Sequence, residues 1–155
     1  DVDIQFTEMS KFGVKGMYDI QTYFWNWSRS YCYWVTMSTR RLDEHNQGPY
    51  NKPGMLSPTM FIEDDPATGS WYVTPEYYLL GQFSKFIQRG AVRIKSTLGS
   101  PDMVTALAFL NPDNTVVAIL VNQTASAQKS VVKYKNKSFV AIIPYQSVAT
   151  FIWNL

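Results

Sequence analysis

The chain of 155 residues is poor in the groups on which several kinds of active site depend. Its one cysteine, Cys32, allows neither an internal disulfide nor a thiolate metal cluster. Its one histidine, His45, argues against a Cys-His or a Ser-His-Asp site. Charged residues make up 17% of the chain, the net charge is +2, and no block of Lys or Arg occurs, which argues against nucleic acid as a partner. No apolar stretch of the sequence is long enough to predict a membrane span.

Aromatic residues are abundant: the chain has 10 Tyr, 9 Phe and 5 Trp. Most aromatic side chains fill hydrophobic cores, but sugar-binding clefts also use their flat apolar faces. The hydrophobic fraction of 46% is enough for a core. Cys32 lies between Tyr31 and Tyr33 in an apolar run, so we predict that it is a small buried hydrophobe.

The first 35 residues predict a strand, a helix and a second strand. Residues 4–10 are β-favouring up to Glu8, after which the composition is that of a loop. The apolar residues of the helix recur at steps of three and four: Met17, Ile20, Phe24, Trp27 and Tyr31. The apolar run at residues 31–35 predicts a buried strand, which completes a βαβ unit of a parallel sheet. Because catalytic carboxylates often stand at the C-terminal ends of barrel strands, Glu8 is the candidate catalytic residue.

Residues 36–73 are predicted to form a long irregular loop, because glycine and proline recur through them. The loop leaves the end of the second predicted strand, at the same rim as Glu8. Its polar residues 43–47 are compatible with ligand contact and with a solvated loop.

A second helix is predicted to follow this loop. Thr74 is a candidate N-cap, Pro75 fits the first turn, and Gly90 is predicted to end the helix. Its predicted apolar stripe consists of Tyr78, Leu79, Phe83, Phe86 and Ile87.

From residue 91 onward, apolar and polar residues alternate, which predicts strands with one buried face. Further strands are predicted at residues 103–110, 116–121, 131–134, 139–143 and 148–153, with turns such as Asn111-Pro112-Asp113-Asn114 between them. Several short strands without intervening helices predict an antiparallel β-sandwich. The predicted fold class is therefore α/β plus β: a parallel α/β part in residues 1–90 and a β-sandwich domain in residues 91–155.

Two groups of residues carry a resemblance to a known family. The first is Phe6-Thr7-Glu8, the aromatic strand with Trp34, and Gln47-Gly48-Pro49-Tyr50-Asn51. The second is the segment of residues 77–87 continuing to Gly90-Ala91-Val92-Arg93-Ile94. Together they resemble glycoside hydrolase family 30, at the end of its catalytic barrel and the start of its β-sandwich. The resemblance implies that residues 1–90 supply the last two βα units of a (β/α)8 barrel and that residues 91–155 supply the sandwich.

The resemblance also implies a chemistry. Enzymes of this family are retaining glycosidases with two glutamates about 5–5.5 Å apart, a nucleophile and an acid/base residue. Glu8 matches the nucleophile, and Trp34, with Tyr33 beside it, matches the aromatic floor of the sugar site. The family's acid/base glutamate ends barrel strand four, which this sequence does not contain, and Asp43 and Glu44 match no catalytic position. No cofactor and no metal are expected for this mechanism.

Three motifs bear on the substrate that the resemblance implies. They are Tyr33-Trp34-Val35-Thr36-Met37, Gln47-Gly48-Pro49-Tyr50-Asn51 and Thr74-Pro75-Glu76-Tyr77-Tyr78. They are most similar to the endo-β-1,6-galactanase branch, which implies a β-linked oligo- or polysaccharide as partner. A β-1,6-glucanase, a xylanase and a glucosylceramidase of the same family are alternatives. A different class, a non-catalytic carbohydrate-binding or structural protein, is favoured by the presence of only one of the two carboxylates.

Two expectations concern the surroundings of the chain. Two strands cannot close an eight-stranded barrel, so we expect the chain to be the C-terminal piece of a longer enzyme whose N-terminal part is separate or missing. We expect a secreted, extracellular location, or a lysosomal one for a glucosylceramidase-like enzyme. N-glycosylation sequons begin at Asn26, Asn122 and Asn136, and Asn136, in a predicted turn, is the most suited to carry a glycan.

Overall fold

The computed structural model describes residues 11–33, 36–39, 60–65, 67–100 and 102–155. These residues fall into two compact units. One contains the described residues up to Tyr31 together with Leu79–Leu155, and the other lies within Cys32–Tyr78. The predicted strand that ends on Glu8 and the polar residues 43–47 lie outside the described residues.

The first helix, α1, spans Lys11–Trp25. Its predicted apolar face is confirmed at Met17 and Ile20, which are each 1% exposed. The opposite face is polar and carries an ion pair between Lys15 and Asp19, with 3.1 Å between the ammonium nitrogen and a carboxylate oxygen. Both of these side chains are solvated, so the pair contributes little to stability. Burial of the apolar face is therefore what holds the helix in place.

The C-terminal end of α1 is a Schellman motif. The Ser28 N–H donates to the Tyr23 carbonyl at 3.0 Å, and the Trp27 N–H donates to the Phe24 carbonyl at 3.2 Å. Trp27 has the left-handed φ of 70° that this motif requires. The prediction that Trp27 and Tyr31 continue the buried helical stripe is therefore wrong, and both side chains are exposed.

The predicted buried strand at residues 31–35 is also wrong in its described part. Residues 31–33 have no regular secondary structure, and Cys32 is exposed rather than buried. The Tyr31 ring packs back against Tyr23 of α1, with 5.9 Å between the centroids. This tertiary contact competes with the extended conformation that the apolar run favours.

The second unit contains a three-stranded sheet where the sequence predicts an irregular loop. Its strands are β1 (Met37–Thr39), β2 (Phe61–Asp65) and β3 (Ser70–Val73). β1 pairs with β2 in parallel, and β2 pairs with β3 antiparallel across a turn in which Gly69 has a φ of 67°. The prediction of an irregular loop is therefore wrong for the described parts of residues 36–73.

The second helix, α2, spans Pro75–Ser84, and its predicted start is confirmed. The Tyr77 N–H donates to the Thr74 carbonyl at 3.2 Å, which places Thr74 at the N-terminal boundary. Leu79 and Phe83 of the predicted stripe are buried, at 0% and 4% exposure.

Gly90 does not end α2, contrary to the prediction. It lies six positions after the last helical residue, and its φ of 89° belongs to a separate turn in which the Ala91 N–H donates to the Gln88 carbonyl. The Asn111 side chain holds this connection: it accepts from the Gln88 N–H and donates to the Phe86 carbonyl, both at 3.0 Å. A side chain distant in sequence therefore fixes where the helix stops.

The antiparallel β-sandwich predicted for residues 91–155 is confirmed. One sheet contains, in spatial order, β4 (Val92–Ile94), β5 (Val104–Leu110), β6 (Thr115–Asn122) and β9 (Ser147–Asn154). The other is the hairpin of β7 (Gln128–Tyr134) and β8 (Lys137–Ile143). All described pairings in both sheets are antiparallel.

β6 is buried along most of its length because both of its faces are covered. One core joins it to the helices, and its members are Met17, Ile20, Leu79, Phe83, Val117, Ile119, Val121 and Val148. The other core lies between the two sheets, and its members are Ala118, Leu120, Ala141, Ile143 and Ala149. This unit therefore has three layers: helices, the four-stranded sheet and the hairpin.

Candidate functional site

The three site residues predicted from the sequence differ in what the structure describes. Glu8 and Trp34 lie outside the described residues, so their roles stay predictions. Tyr33 is described: it is half-buried and lies in the irregular segment before β1. The described residues therefore do not bring the three together.

Aromatic side chains cluster in the second unit, beyond Tyr33 in the chain. Phe61 of β2 lies 5.6 Å from Trp71 of β3 and 5.2 Å from Tyr77 of α2, between ring centroids. Tyr77 lies 5.4 Å from Tyr78 in an edge-to-face arrangement. We call these four residues the aromatic cluster. Ring pairs at such distances stabilise each other and hold their faces in fixed orientations.

Local structure explains how the aromatic cluster forms. Phe61 pairs with Val73 in the β2–β3 ladder, and the Thr74 N–H donates to the Met60 carbonyl at 3.0 Å. The chain then enters α2 directly, so the first helical turn places Tyr77 beside the Phe61 ring.

The aromatic cluster has the chemistry of a carbohydrate-contact surface. Trp71 is 60% exposed, and Tyr77 and Tyr78 are also exposed at their rings. An exposed flat ring can stack against the apolar face of a sugar while a phenol hydroxyl bonds to its polar edge. Trp71 lies in the predicted loop and is therefore not among the predicted site residues. The signal was present, since Trp71, Tyr72 and Val73 form a short run of β-favouring residues between Gly69 and Pro75.

Two titratable groups among the described residues have perturbed pKa values, and neither belongs to the aromatic cluster. Partial burial, with the neighbouring Tyr23 and Asp19, raises the pKa of Tyr31. Hydrogen bonds donated by the Thr115 side chain and backbone, and by Gln88, lower the pKa of Asp113. Asp113 lies in the turn between β5 and β6, so its ionised state stabilises that turn rather than a reaction.

The three sequons differ in the state of the asparagine amide. Asn122 is 0% exposed, and its Nδ2 donates to the carbonyls of Ser126, Ile143 and Pro144 at 2.7–3.0 Å. Asn26 is exposed beyond the end of α1. Asn136 is exposed in the two-residue turn of the β7–β8 hairpin, as the sequence predicts. The fold therefore makes Asn136 accessible to modification and Asn122 inaccessible.

The described residues contain no group of three or more His, Cys, Asp or Glu side chains arranged to hold a metal ion. Within the same part of the chain, neither helix has the length and apolarity that a bilayer crossing requires.

Residues 90–151 match the β-sandwich domain of glycosyl hydrolase family 30. This chain carries the sandwich of that family. The predicted resemblance to family 30 is thereby confirmed. Putative glucosylceramidase 2 of Caenorhabditis elegans is 34% identical over 95 residues, which are 57% of this chain and 18% of the relative. Lysosomal acid glucosylceramidase of Mus musculus is 27% identical over 86 residues, 55% of this chain and 17% of the relative.

Solved structures of other proteins have the same fold. An endo-β-1,6-glucanase matches with a TM-score of 0.73 and 22% identity, over 92% of this chain and 31% of that one. SrfJ from Salmonella typhimurium matches with a TM-score of 0.70 and 17% identity, over 98% and 33%. The chain thus spans about a third of these structures and less than a fifth of the two curated relatives.

Proposed function

We propose that this chain is the C-terminal part of a retaining glycoside hydrolase that cleaves β-linked glycans. In this proposal residues 1–90 supply the last two βα units of a (β/α)8 barrel, and residues 91–155 supply the sandwich. The observation that carries the proposal is the match of residues 90–151 to the sandwich of family 30, a family of glycosidases. The barrel signature Phe6-Thr7-Glu8 in the same chain supports it further.

The proposed reaction uses Glu8 as the nucleophile. Its carboxylate attacks the anomeric carbon while a second glutamate, outside this chain, protonates the leaving oxygen. Water then hydrolyses the glycosyl-enzyme intermediate, and the second glutamate takes the water's proton. Trp34 and Tyr33 form the floor of the sugar site, and Trp71 offers a further exposed ring for stacking.

The substrate proposed first is β-1,6-galactan, because of the three motifs that resemble the endo-β-1,6-galactanase branch. A glucosylceramide is the second candidate, and the observation that favours it is the 34% identity to the Caenorhabditis elegans relative described above. A β-1,6-glucan is a third, supported by the fold shared with an endo-β-1,6-glucanase.

The test uses the native protein that contains this chain. We expect Glu8→Gln to lower kcat about 10³-fold or more, because the covalent step loses its nucleophile while substrate binding is retained. The matched control is Glu44→Gln, which also neutralises a glutamate and which we expect to keep nearly full activity. β-1,6-Galactan, β-1,6-glucan, xylan and glucosylceramide are tested side by side.

Three results would contradict parts of this proposal. Wild-type rates in Glu8→Gln would show that Glu8 is not the nucleophile. Hydrolysis of another substrate in preference to β-1,6-galactan would reassign the specificity. Binding of a glycan by both proteins without hydrolysis would favour the non-catalytic carbohydrate-binding reading.

The proposal includes an N-terminal partner and a secreted or lysosomal location. The short share of each relative that the chain spans supports the partner. Intact mass of the native protein under denaturing conditions tests it. A lone folded species of 17.8 kDa that is monomeric in solution would overturn this part of the proposal.

A further inference from the structure

A pocket lies in the first unit between the end of α1 and the start of β4. Its volume is about 660 Å³. Three arginines line it, Arg29, Arg89 and Arg93, and among the described residues no acidic side chain does. We call it the arginine pocket. Its lining is also aromatic, with Trp27 and Tyr31 at its edge.

Arg93 is the arginine whose contacts are described in most detail: it stacks on two tryptophans and has an unpaired donor. Its guanidinium carbon lies 4.4 Å from the centre of the Trp27 ring and 5.2 Å from that of Trp25. Stacking of this kind orients the planar guanidinium and leaves its edge free to bond. The Nε–H is buried and has no hydrogen-bond partner among the described residues. A buried donor without a partner destabilises the folded chain.

Two carboxylates of the first unit, those of Asp19 and Asp113, interact with groups other than the arginines. Asp19 influences Tyr31 but forms its ion pair with Lys15. Asp113 accepts hydrogen bonds from Gln88 and Thr115 and does not line the pocket. Among the described residues, none of the three arginines forms an ion pair. The pocket therefore keeps an uncompensated positive charge.

Trp27 supplies an apolar face beside this charge. It is 79% exposed and is held at the left-handed C-terminal position of α1, where glycine is the preferred residue. A bulky side chain there carries a cost in backbone strain. The stacking on Arg93 offsets part of this cost and fixes the indole at the rim of the pocket.

We propose that the arginine pocket binds an acidic saccharide, with the carboxylate of a uronic acid residue on Arg93 and a neighbouring arginine, and the sugar ring on Trp27. Guanidinium and carboxylate match in geometry, since both are planar and form two parallel hydrogen bonds. Ser28 lines the same pocket and offers a hydroxyl to sugar oxygens. This proposal does not depend on Glu8 or on hydrolysis.

The test measures binding to the native protein that contains this chain, by titration calorimetry and tryptophan fluorescence. The probes are oligogalacturonate, oligoglucuronate, a neutral galacto-oligosaccharide of equal length, and inorganic sulfate. We expect the two acidic oligosaccharides to bind, with an affinity that falls as salt rises, and the neutral one to bind at least tenfold more weakly.

Two variants locate the site. The double variant Arg29→Gln/Arg89→Gln removes two solvent-exposed charges and is expected to fold and to bind at least tenfold more weakly. Trp27→Gly places the preferred residue at the left-handed position, so it is expected to fold, to lose the fluorescence change and to bind more weakly. The matched controls are Lys133→Gln, an exposed cation on the hairpin, and Tyr145→Ala, an exposed aromatic residue outside the pocket.

Several outcomes would overturn the proposal. Equal binding of neutral and acidic oligosaccharides would remove the role of the arginines. Sulfate binding as tight as that of the oligosaccharides would reduce the site to a simple anion site. Absence of binding at millimolar concentrations, or equal loss in the control variants, would remove the site altogether. None of these outcomes bears on whether Glu8 is a nucleophile.

Discussion

Asn122 is the most connected polar side chain inside the sandwich, and its replacement gives a sharp test of how the fold is held. Its Nδ2 donates to three carbonyls, and its Oδ1 accepts from the Thr124 N–H at 3.0 Å and from the Thr124 hydroxyl at 2.8 Å. The side chain thus ties the end of β6 to the connection that leads into β7 and to the end of β8. We therefore expect Asn122→Ala to destabilise the chain strongly.

The magnitude follows from which partners have no second hydrogen bond from a side chain. The Pro144 carbonyl keeps a bond from the Ser147 hydroxyl, and the Ser126 carbonyl keeps one from the Thr124 hydroxyl. The Ile143 carbonyl, in a residue 1% exposed, and the Thr124 N–H lose theirs. At about 1–3 kcal/mol for each such group, the free energy of unfolding should fall by about 3 kcal/mol. For a chain of this length that lowers Tm by about 9 °C.

Asn122→Asp adds a pH dependence that Asn122→Ala lacks. It places a carboxyl oxygen opposite three carbonyl oxygens, so the folded state favours the protonated form and the pKa of the introduced carboxyl rises. Because a raised pKa means that the folded chain binds the proton more tightly, stability falls as the pH rises through that pKa. We expect Asn122→Asp to be closer to wild type at pH 4 than at pH 7.

Urea denaturation followed by circular dichroism at both pH values measures these effects. The control is Asn136→Ala, an asparagine exposed in a turn, which should change the free energy of unfolding by less than about 0.5 kcal/mol. If Asn122→Ala were as mild as this control, the side chain would not be the link between these strands.

The remaining predictions concern modification and the turn before β6. In a secretory host that N-glycosylates proteins, mass spectrometry should find glycan on Asn136 and not on Asn122, and Asn136→Gln should abolish that signal; a glycopeptide containing Asn122 would contradict the burial of its amide. Asp113 has a lowered pKa, so its contribution to stability should be complete at neutral pH and should be lost as the pH falls below 3.8. The Tm of Asp113→Asn should therefore lie below that of wild type at pH 7 and approach it in acid; an equal difference at both pH values would refute the linkage.

The sandwich could be predicted from the sequence because its signals are local. Short β-favouring runs between turn residues mark the strands, and the turn at Asn111-Pro112-Asp113-Asn114 fixes the register of β5 against β6. The structure confirms this turn: the Asn114 N–H donates to the Asn111 carbonyl at 3.0 Å, and Asn114 has a φ of 66°. Asparagine tolerates that conformation, so the sequence signal and the structure agree.

The helix ends could not be predicted because contacts distant in sequence decide them. Trp27 continues the apolar period of α1, yet it occupies the left-handed position that glycine usually takes. Its stacking on Arg93, 66 positions further along the chain, offsets the strain and is invisible to a local pattern. Gly90 looked like a helix end, but Asn111 holds the chain in turns before it is reached. The predicted catalytic roles of Glu8 and Trp34 rest on resemblance and stay predictions.

The helices and the sandwich share one buried core, so a substitution in either one affects the packing of the other. The Gln21 amide donates to the Ile119 carbonyl at 2.9 Å and accepts from the Thr105 hydroxyl at 2.6 Å, with all of these groups buried. On the same side of the sheet, the Thr150 hydroxyl donates to the Gln82 carbonyl of α2 at 3.1 Å. These bonds satisfy polar groups inside an otherwise apolar core and fix the position of each helix on the sheet. The sequence match of the sandwich begins at residue 90, but the core that stabilises its central strand includes residues of α1. The unit that is stabilised by one core therefore contains helices that the sequence assigns to the predicted barrel.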